Sequence, residues 1–437
     1  MTSRKDEFGQ ELRRLREQAG LTQVQLAARL GYHHTYVSKI ESGAREPRIA
    51  FAGKADDVLG AGGALLAAAT SVRARVRTDL SVATATIPLP RTVQIRDSPR
   101  AASAPRQVHL PAFGITCPSH GAAGCAAPVP AGLGDVPGVD GHAVGTETLH
   151  GFAALLTTYV EADITVVDGD LAPSVEQALR TLMTVVPEAR GDHADGLLRL
   201  AARYADLAGW MRVKQGQHGI AMTWLQRAVE WALASDGLPT ACDALSSMSV
   251  IAMIEGDGTT ALEYAQAAAA VDPNRRWMSV QAKLDQARAH ALLGDHREFN
   301  DLSHAARRDA ERLSDRDRIE APWLTGVEGE TFIASHLAAG LRDLAQATGS
   351  REMADRAVAF ATTSLLNVPS RMQGSKLMLT LRLADTEACR GDLDAAVHLA
   401  KPVMPEVTVS LNTTIRHELG KLRIRLGDRF DELFDSQ

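Results

Sequence analysis

The stretch LTQVQLAARLGYHHTYVSKIESGAREPR, residues 21–48, decides how the first part of this 437-residue chain folds. Thr22 stands three residues before Gln25, the spacing of a capping box, with the threonine as cap and the glutamine reaching back to it. Leu26, Ala27 and Leu30 then give a helix its apolar stripe, and Gly31 ends it. After a turn at Gly31-Tyr32-His33, a second helix runs to about Glu41 and Gly43 stops it. Val37 and Ile40 share one face of that helix, whereas His34, Thr35, Ser38, Lys39 and Ser42 fall on the other. Upstream, Phe8, Leu12 and Leu15 recur at helical spacing until Gly20. Three short helices therefore fill the first 43 residues.

Two helices joined by a three-residue turn containing glycine make the helix-turn-helix layout, whose second member enters the major groove of DNA. Residues 21–47 resemble the Cro/phage-repressor, or xenobiotic-response-element, type of that motif. The matching residues are Leu21, Thr22, Gln23, Leu26, Ala27, Gly31, Val37, Ser38, Ile40, Glu41, Gly43 and Pro47. The resemblance implies a five-helix domain over residues 1–79 in which Gln23 bonds a DNA phosphate. It implies that His33, His34, Thr35 and Lys39 face base edges or nearby phosphates, with Ser38 on the same presented side. Arg48, after Pro47, would lie near the backbone or minor groove, and Arg16 would pair with Glu41 in a partly buried salt bridge. The chain departs from the pattern at His33, where a serine or similar cap is usual and a histidine caps poorly. It departs again at His34, where glutamine or arginine is common; imidazole both donates and accepts, so it names no base.

Charge is divided as a DNA-facing head would require. Residues 1–79 hold 13 Lys/Arg against 9 Asp/Glu, and the remainder 34 against 44, although the whole chain carries −6. Hydrophobic residues at 45% suffice for a substantial core, and aromatics at only 4% beside abundant alanine favour closely packed helices over sandwiches. No apolar run approaches the ~20 residues of a bilayer span, the start MTSRKDEFGQ has no apolar signal core, and four cysteines make no disulfide framework. The expectation is a cytoplasmic protein, nucleoid-associated when bound to DNA.

Residues 80–145 hold nine of the eighteen prolines and eight glycines, with little periodicity, which predicts a flexible linker. Within it CPSHGAAGC brings Cys117, His120 and Cys125 together, with His109 and His142 flanking. A metal knuckle needs four donors and only three stand at short spacing, while a thiol switch is a further use of the pair. The stretch is read as incidental residues of a tether, and no metal or cofactor is assigned.

From Thr146 the chain reads as helical with an internal repeat. Gly216, Gly256, Gly294, Gly349 and Gly391 each end one amphipathic helix and precede another. Five residues on stand Ala221, Ala261, Phe299, Ala354 and Ala396; twelve on stand Ala228, Ala268, Ala306, Ala361 and Val403. The intervals of 40, 38, 55 and 42 place an insertion of about fifteen residues within 295–348. Small residues at fixed offsets let paired helices approach and stack. The pattern resembles tetratricopeptide repeats, and SSMSVIAMIEGDGTTALEYAQAAAAVDP carries the proline, Pro273, expected after a second helix. The whole plan, with AGWMRVKQGQHGIA near the start of the body, resembles actinobacterial helix-turn-helix regulators with tetratricopeptide bodies. That resemblance implies that residues 146–437 sense a signal or dimerise.

On such repeats the first helix of each pair lines the concave face, which places Arg203, Asp206, Trp210, Lys214, Gln281, Arg288, His336, Asp343 and Asp385 there as candidates for a peptide or small polar effector. Catalytic motifs are missing: His417-Glu418 is followed by Leu-Gly-Lys rather than completing HExxH, and no phosphate-binding GxxxxGK[ST] or GxSxG elbow occurs. The glycine-rich LGAGGAL at 59–65 follows a helix instead of a strand. The expectation is an all-α, non-enzymatic, dimeric transcriptional regulator that binds an inverted-repeat operator. Its rival is a tetratricopeptide-type interaction scaffold with a vestigial head.

Overall fold

The computed structural model describes residues 4–30, 34–42, 49–65, 107–129, 144–165 and 170–434. The chain divides into two compact units, Met1–Pro88 and Leu89–Gln437, and among the described residues it is all-α apart from one two-stranded hairpin.

In the first unit the helices are α1 (Arg4–Gln18), α2 (Gln23–Leu30), α3 (His34–Glu41) and α4 (Ile49–Leu59). The capping box forms as the spacing predicts: Thr22 N donates to Gln25 Oε1 at 2.9 Å, and Gln25 N donates to Thr22 Oγ1 at 3.2 Å. Phe8, Leu12, Leu26, Leu30, Val37, Ile40 and Phe51 bury their side chains in one core. Gly9 has no room for more: a Cβ there would stand 2.3 Å from the carbonyl oxygen of Ile40. The α1 backbone thus lies directly on the end of α3. After α4 the glycine-rich segment is a turn whose geometry Asp56 fixes, since its carboxylate accepts from Gly63 N at 2.5 Å and Leu65 N at 2.7 Å. Of the five helices expected over residues 1–79, four are described, and residues 66–79 fall outside the described residues.

The second unit begins with a correction to the linker. Within the stretch read as a tether, β1 (Gln107–Leu110) and β2 (Cys125–Pro128) pair antiparallel, with Leu110 opposite Cys125. Long-range packing holds this hairpin where its low periodicity gave no hint of order. A Cβ on Gly114 would be 2.6 Å from the carbonyl of Glu320, and one on Gly196 would be 3.0 Å from Pro118. Tight contacts from residues far along the chain fix a segment that local propensity leaves undetermined.

The rest is helical: α5 (Thr146–Thr165), α6 (Ala172–Val185), α7 (Gly191–Lys214), α8 (His218–Ala234), α9 (Leu238–Ile254), α10 (Gly258–Ala269), α11 (Arg276–Leu292), α12 (His296–Ala310), α13 (Asp315–Glu320), α14 (Gly326–Thr348), α15 (Arg351–Asn367), α16 (Gln373–Arg390), α17 (Leu393–Ala400), α18 (Met404–Val409) and α19 (Thr413–Leu426). Helices pair as α7–α8, α9–α10, α11–α12, α14–α15 and α16–α17, and neighbouring pairs pack on one another. The five repeat glycines sit between the members of these pairs with φ from 68° to 98°, a region that a side chain disfavours. Immediately after four of them, Asp257, Asp295, Ser350 and Asp392 cap the next helix.

The small residues do what their offsets predict. Ala221, Ala261, Ala354 and Ala396 are buried, as are Ala228, Ala268, Ala306 and Ala361. Phe299 breaks the rule of smallness and is still buried because α14 presents Gly340, where a Cβ would stand 2.4 Å from the Phe299 ring. Val403 departs from the pattern, half-buried in the turn 401–403, because α17 ends at Ala400 just before Pro402. The insertion consists of α13 and the short turn 322–324. No helix among the described residues is long and apolar enough to cross a membrane.

Candidate nucleic-acid interface

The head's site is built around a buried ion pair. Arg16 projects from α1 and donates from Nε to Glu41 Oε1 at 2.5 Å and from Nη2 to Oε2 at 2.9 Å. Its Nη1 reaches the Leu21 carbonyl at 2.8 Å, so one guanidinium ties α1, the turn before α2 and the end of α3. The bond to Glu41 holds the Arg16 pKa above its ordinary value. The pair expected from the resemblance is therefore in place, and both residues are buried.

Gln23 joins the same cluster. Its Nε2 donates to Glu41 Oε2 at 2.8 Å from the first turn of α2. One amide hydrogen is committed inside the protein and leaves the other for an outside acceptor. A phosphate met here would also face the start of α2, where backbone N–H groups point outward.

On α3, Val37 and Ile40 are fully buried and Ser38 is half-buried. Positions 35 and 39 fall on the opposite side of the helix from Val37 and Ile40, as a 3.6-residue repeat requires. His34, Thr35 and Lys39 belong to α3, but the structure does not describe their side chains; His33 and Arg48 lie outside the described residues altogether.

The candidate effector residues of the body are engaged with one another and with neighbours. Arg203 pairs with Asp243 at 2.6 Å and Asp206 at 3.9 Å, while Lys214 pairs with Asp163 at 2.8 Å. Gln281 donates to Ser246 Oγ at 3.0 Å and accepts from Trp323 Nε1 at 3.4 Å. Arg288 lies 4.0 Å from Asp343, which also receives Lys421 at 3.0 Å. Asp385 is held by Arg342 at 3.0 Å and Arg425 at 2.6 Å. His336 donates from Nδ1 to the Phe332 carbonyl at 2.9 Å, and its Nε2 lies 3.8 Å from Asp285. Trp210 is half-buried. These residues form a polar seam along the helix pairs, with Gln281, Asp343 and Asp385 buried and the other six half-buried. A cleft of about 430 Å³ opens instead between α12 and α15, lined by His296, His304, Glu352 and Arg356, and none of the nine candidates reaches it.

The seam carries shifted titrations. Burial, with Arg288 and Arg382 nearby, pushes the His336 pKa down to about 3. Burial also pushes His417 down to about 4, with Lys421 adding to the shift. Two of the carboxyls move the other way: burial, with Asp243 beside it, takes Asp206 up to about 7, and burial takes Asp285 up to about 6. Asp206 Oδ1, Asp285 Oδ1 and Arg288 Nε have no hydrogen-bond partner among the described residues.

Sequence reading missed three residues that matter here. Glu418 is buried between Arg342, at 2.5 Å, and Arg382, at 2.6 Å. Glu176 is paired at 2.8 Å with Arg212 and accepts from Trp224 Nε1 at 3.0 Å. Arg212 lies inside the quoted AGWMRVKQGQHGIA stretch, so that stretch makes the joint between α6, α7 and α8. A charged residue at a core position of a helical stripe is the signal that could have marked both acids.

Residues 7–69 match the family model of a helix-turn-helix domain. Neither the curated proteins nor the solved structures contain a match to the chain.

Proposed function

We propose that this chain is a sequence-specific DNA-binding transcriptional regulator of the Cro/phage-repressor type. In this reading α3 enters the major groove, with His34, Thr35 and Lys39 meeting base edges and Gln23 a phosphate. The observation that carries it is the joint at Arg16, Gln23 and Glu41. Five side-chain hydrogen-bonding atoms lock α1, α2 and α3 into one relative orientation. A reading helix must be held in a fixed attitude for direct base contacts to discriminate, and this cluster supplies that attitude. The match of residues 7–69 and the basic balance of the head support the same conclusion.

The body acts here as a tetratricopeptide-like repeat domain that joins two heads and receives a peptide or small-molecule signal. Its glycine-punctuated helix pairs with buried alanines support the repeat reading. Val409, Leu411 and Ile424 near its end are large, apolar and exposed, and self-association would cover them. No chemical step belongs to the proposal. The test is selection by the full-length protein from a library of randomised duplexes. Enrichment of one inverted-repeat motif is expected; recovery of sequences indistinguishable from the input would overturn the reading and leave the scaffold role.

A further inference from the structure

The hairpin and α5 bring four metal-binding side chains to one point. The donor atoms of Cys117, His120, Cys125 and His150 all lie within 4.8 Å of one another. Cys117 Sγ is 3.4 Å from His120 Nδ1, and His120 Nδ1 is 3.1 Å from His150 Nε2. A single ring nitrogen faces both a thiol sulfur and a second ring nitrogen. One proton on that nitrogen serves only one of these neighbours, and a lone pair there accepts from only one. A cation at the common centre satisfies all four donors at once.

Two of the six donor–donor edges, both at His120 Nδ1, match a zinc tetrahedron. A tetrahedral zinc ion with bonds of about 2.3 Å to sulfur and about 2.05 Å to nitrogen separates sulfur from nitrogen by about 3.6 Å and nitrogen from nitrogen by about 3.3 Å. The observed 3.4 Å and 3.1 Å fall within about 0.2 Å of those values.

The local fold explains why the donors converge. The carbonyl of Cys117 accepts from both His120 N, at 3.2 Å, and Gly121 N, at 2.7 Å, and Gly121 takes φ 55°. That turn folds His120 back toward Cys117. Cys125 opens β2 opposite Leu110. His150 comes from the early turns of α5, beside Leu149, and Leu149 and Pro118 both press on Gly196 of α7. The backbone of the body therefore holds the knuckle and the helix in mutual register.

We propose that Cys117, His120, Cys125 and His150 bind one zinc ion in a closed S2N2 site that staples the hairpin to α5. Two thiolates balance the charge of a divalent ion, and two thiolates with two imidazoles form a donor set that suits zinc. All four positions are filled by protein, which makes the ion a structural cross-link with no place for a reacting water. Its consequence is mechanical: the segment that leaves the hairpin toward the N-terminal unit starts from a fixed point on the body. The sequence expectation of no metal is thereby revised, since the fourth donor stands on a helix beyond the stretch that held the other three.

The test uses full-length protein purified under reducing conditions without chelator. Atomic emission is expected to find about one zinc per chain. Replacing zinc by cobalt should give the visible bands of a tetrahedral ion and the thiolate-to-cobalt charge-transfer band in the near ultraviolet. Cys117→Ser and His150→Ala should each lose at least ten-fold in zinc affinity, whereas His109→Ala should keep it. Circular dichroism of the variants separates loss of the site from loss of the fold, and the wild-type cobalt spectrum stands independently of any variant. Reduced wild-type protein that binds neither metal would overturn the proposal. So would undiminished zinc in His150→Ala, or a Cys117–Cys125 disulfide as the stable state in reducing buffer.

Discussion

Glu41 is the residue on which the head's geometry turns. It receives Arg16 through two buried bonds and Gln23 through a third, part-buried one. Removing it strands a buried guanidinium, so Glu41→Ala is expected to destabilise the head by about 3–5 kcal/mol, more than an exposed pair could account for. Hydrogen exchange on the full-length protein reads this directly: protection should fall across α1–α3 and persist in the body. Unchanged protection in α1 would mean that the pair is ornamental. Gly9 makes a second case, since a methyl group there meets the Ile40 carbonyl at 2.3 Å and no rotamer relieves a Cβ. Gly9→Ala should therefore push α1 away from α3 and lower the melting temperature of the head. A melting curve that overlays that of wild type would contradict this close approach.

At the scale of elements, the proposed function assigns recognition to α3, and the seam between helix pairs holds the shifted titrations. Lys39→Ala and His34→Ala are expected to weaken binding to the selected site by ~1–3 kcal/mol more than to random duplex. Gln23→Ala should weaken both equally, and equal losses for all three variants would show that α3 does not read bases. In the seam, His336 titrates at about 3 in the folded state, depressed by burial and by Arg288 and Arg382. A depressed pKa means that its contribution to stability is present above the unfolded value near 6.5 and is lost as pH falls toward 3. Asp206 and Asp285, raised to about 7 and about 6, act in the opposite sense: their contribution is present at low pH and is lost as pH rises through those values. The difference between wild type and His336→Gln isolates the histidine. Between pH 6.5 and 4 the variant's melting temperature should fall less steeply, and parallel curves would remove His336 from the acid response.

What was legible from the sequence follows the same scale. Thr22 with Gln25, and Gly256 as the end of one helix before the next, are signals carried within a few residues, and each forms as read. The nine effector candidates come from counting along single helices, whereas their partners Asp163, Asp243, Lys421 and Arg425 stand on other helices, so that count could not reveal the ion pairs that hold them. The hairpin was invisible for a related reason. Its order comes from Gly114 against Glu320 and from Gly196 against Pro118, contacts that no local pattern encodes.

At the scale of the whole molecule, the proposed function joins two weakly binding heads into one discriminating regulator. A single helix-turn-helix makes few phosphate contacts, so joining two heads through their bodies should add affinity as effective concentration on half-sites about 34 Å apart. Sedimentation of the full-length protein should give a dimer, and insertion of one base pair between half-sites should be tolerated better than insertion of half a helical turn. A monomer with unchanged affinity for the paired site would leave the body no part in DNA recognition. The most direct measurement of the central claim is the affinity of full-length protein for its selected inverted repeat and for a shuffled duplex, at one physiological salt concentration. The inverted repeat is expected to bind about a thousandfold or more tightly than the shuffled duplex. Equal affinity for the two duplexes, or no binding to either, would contradict it.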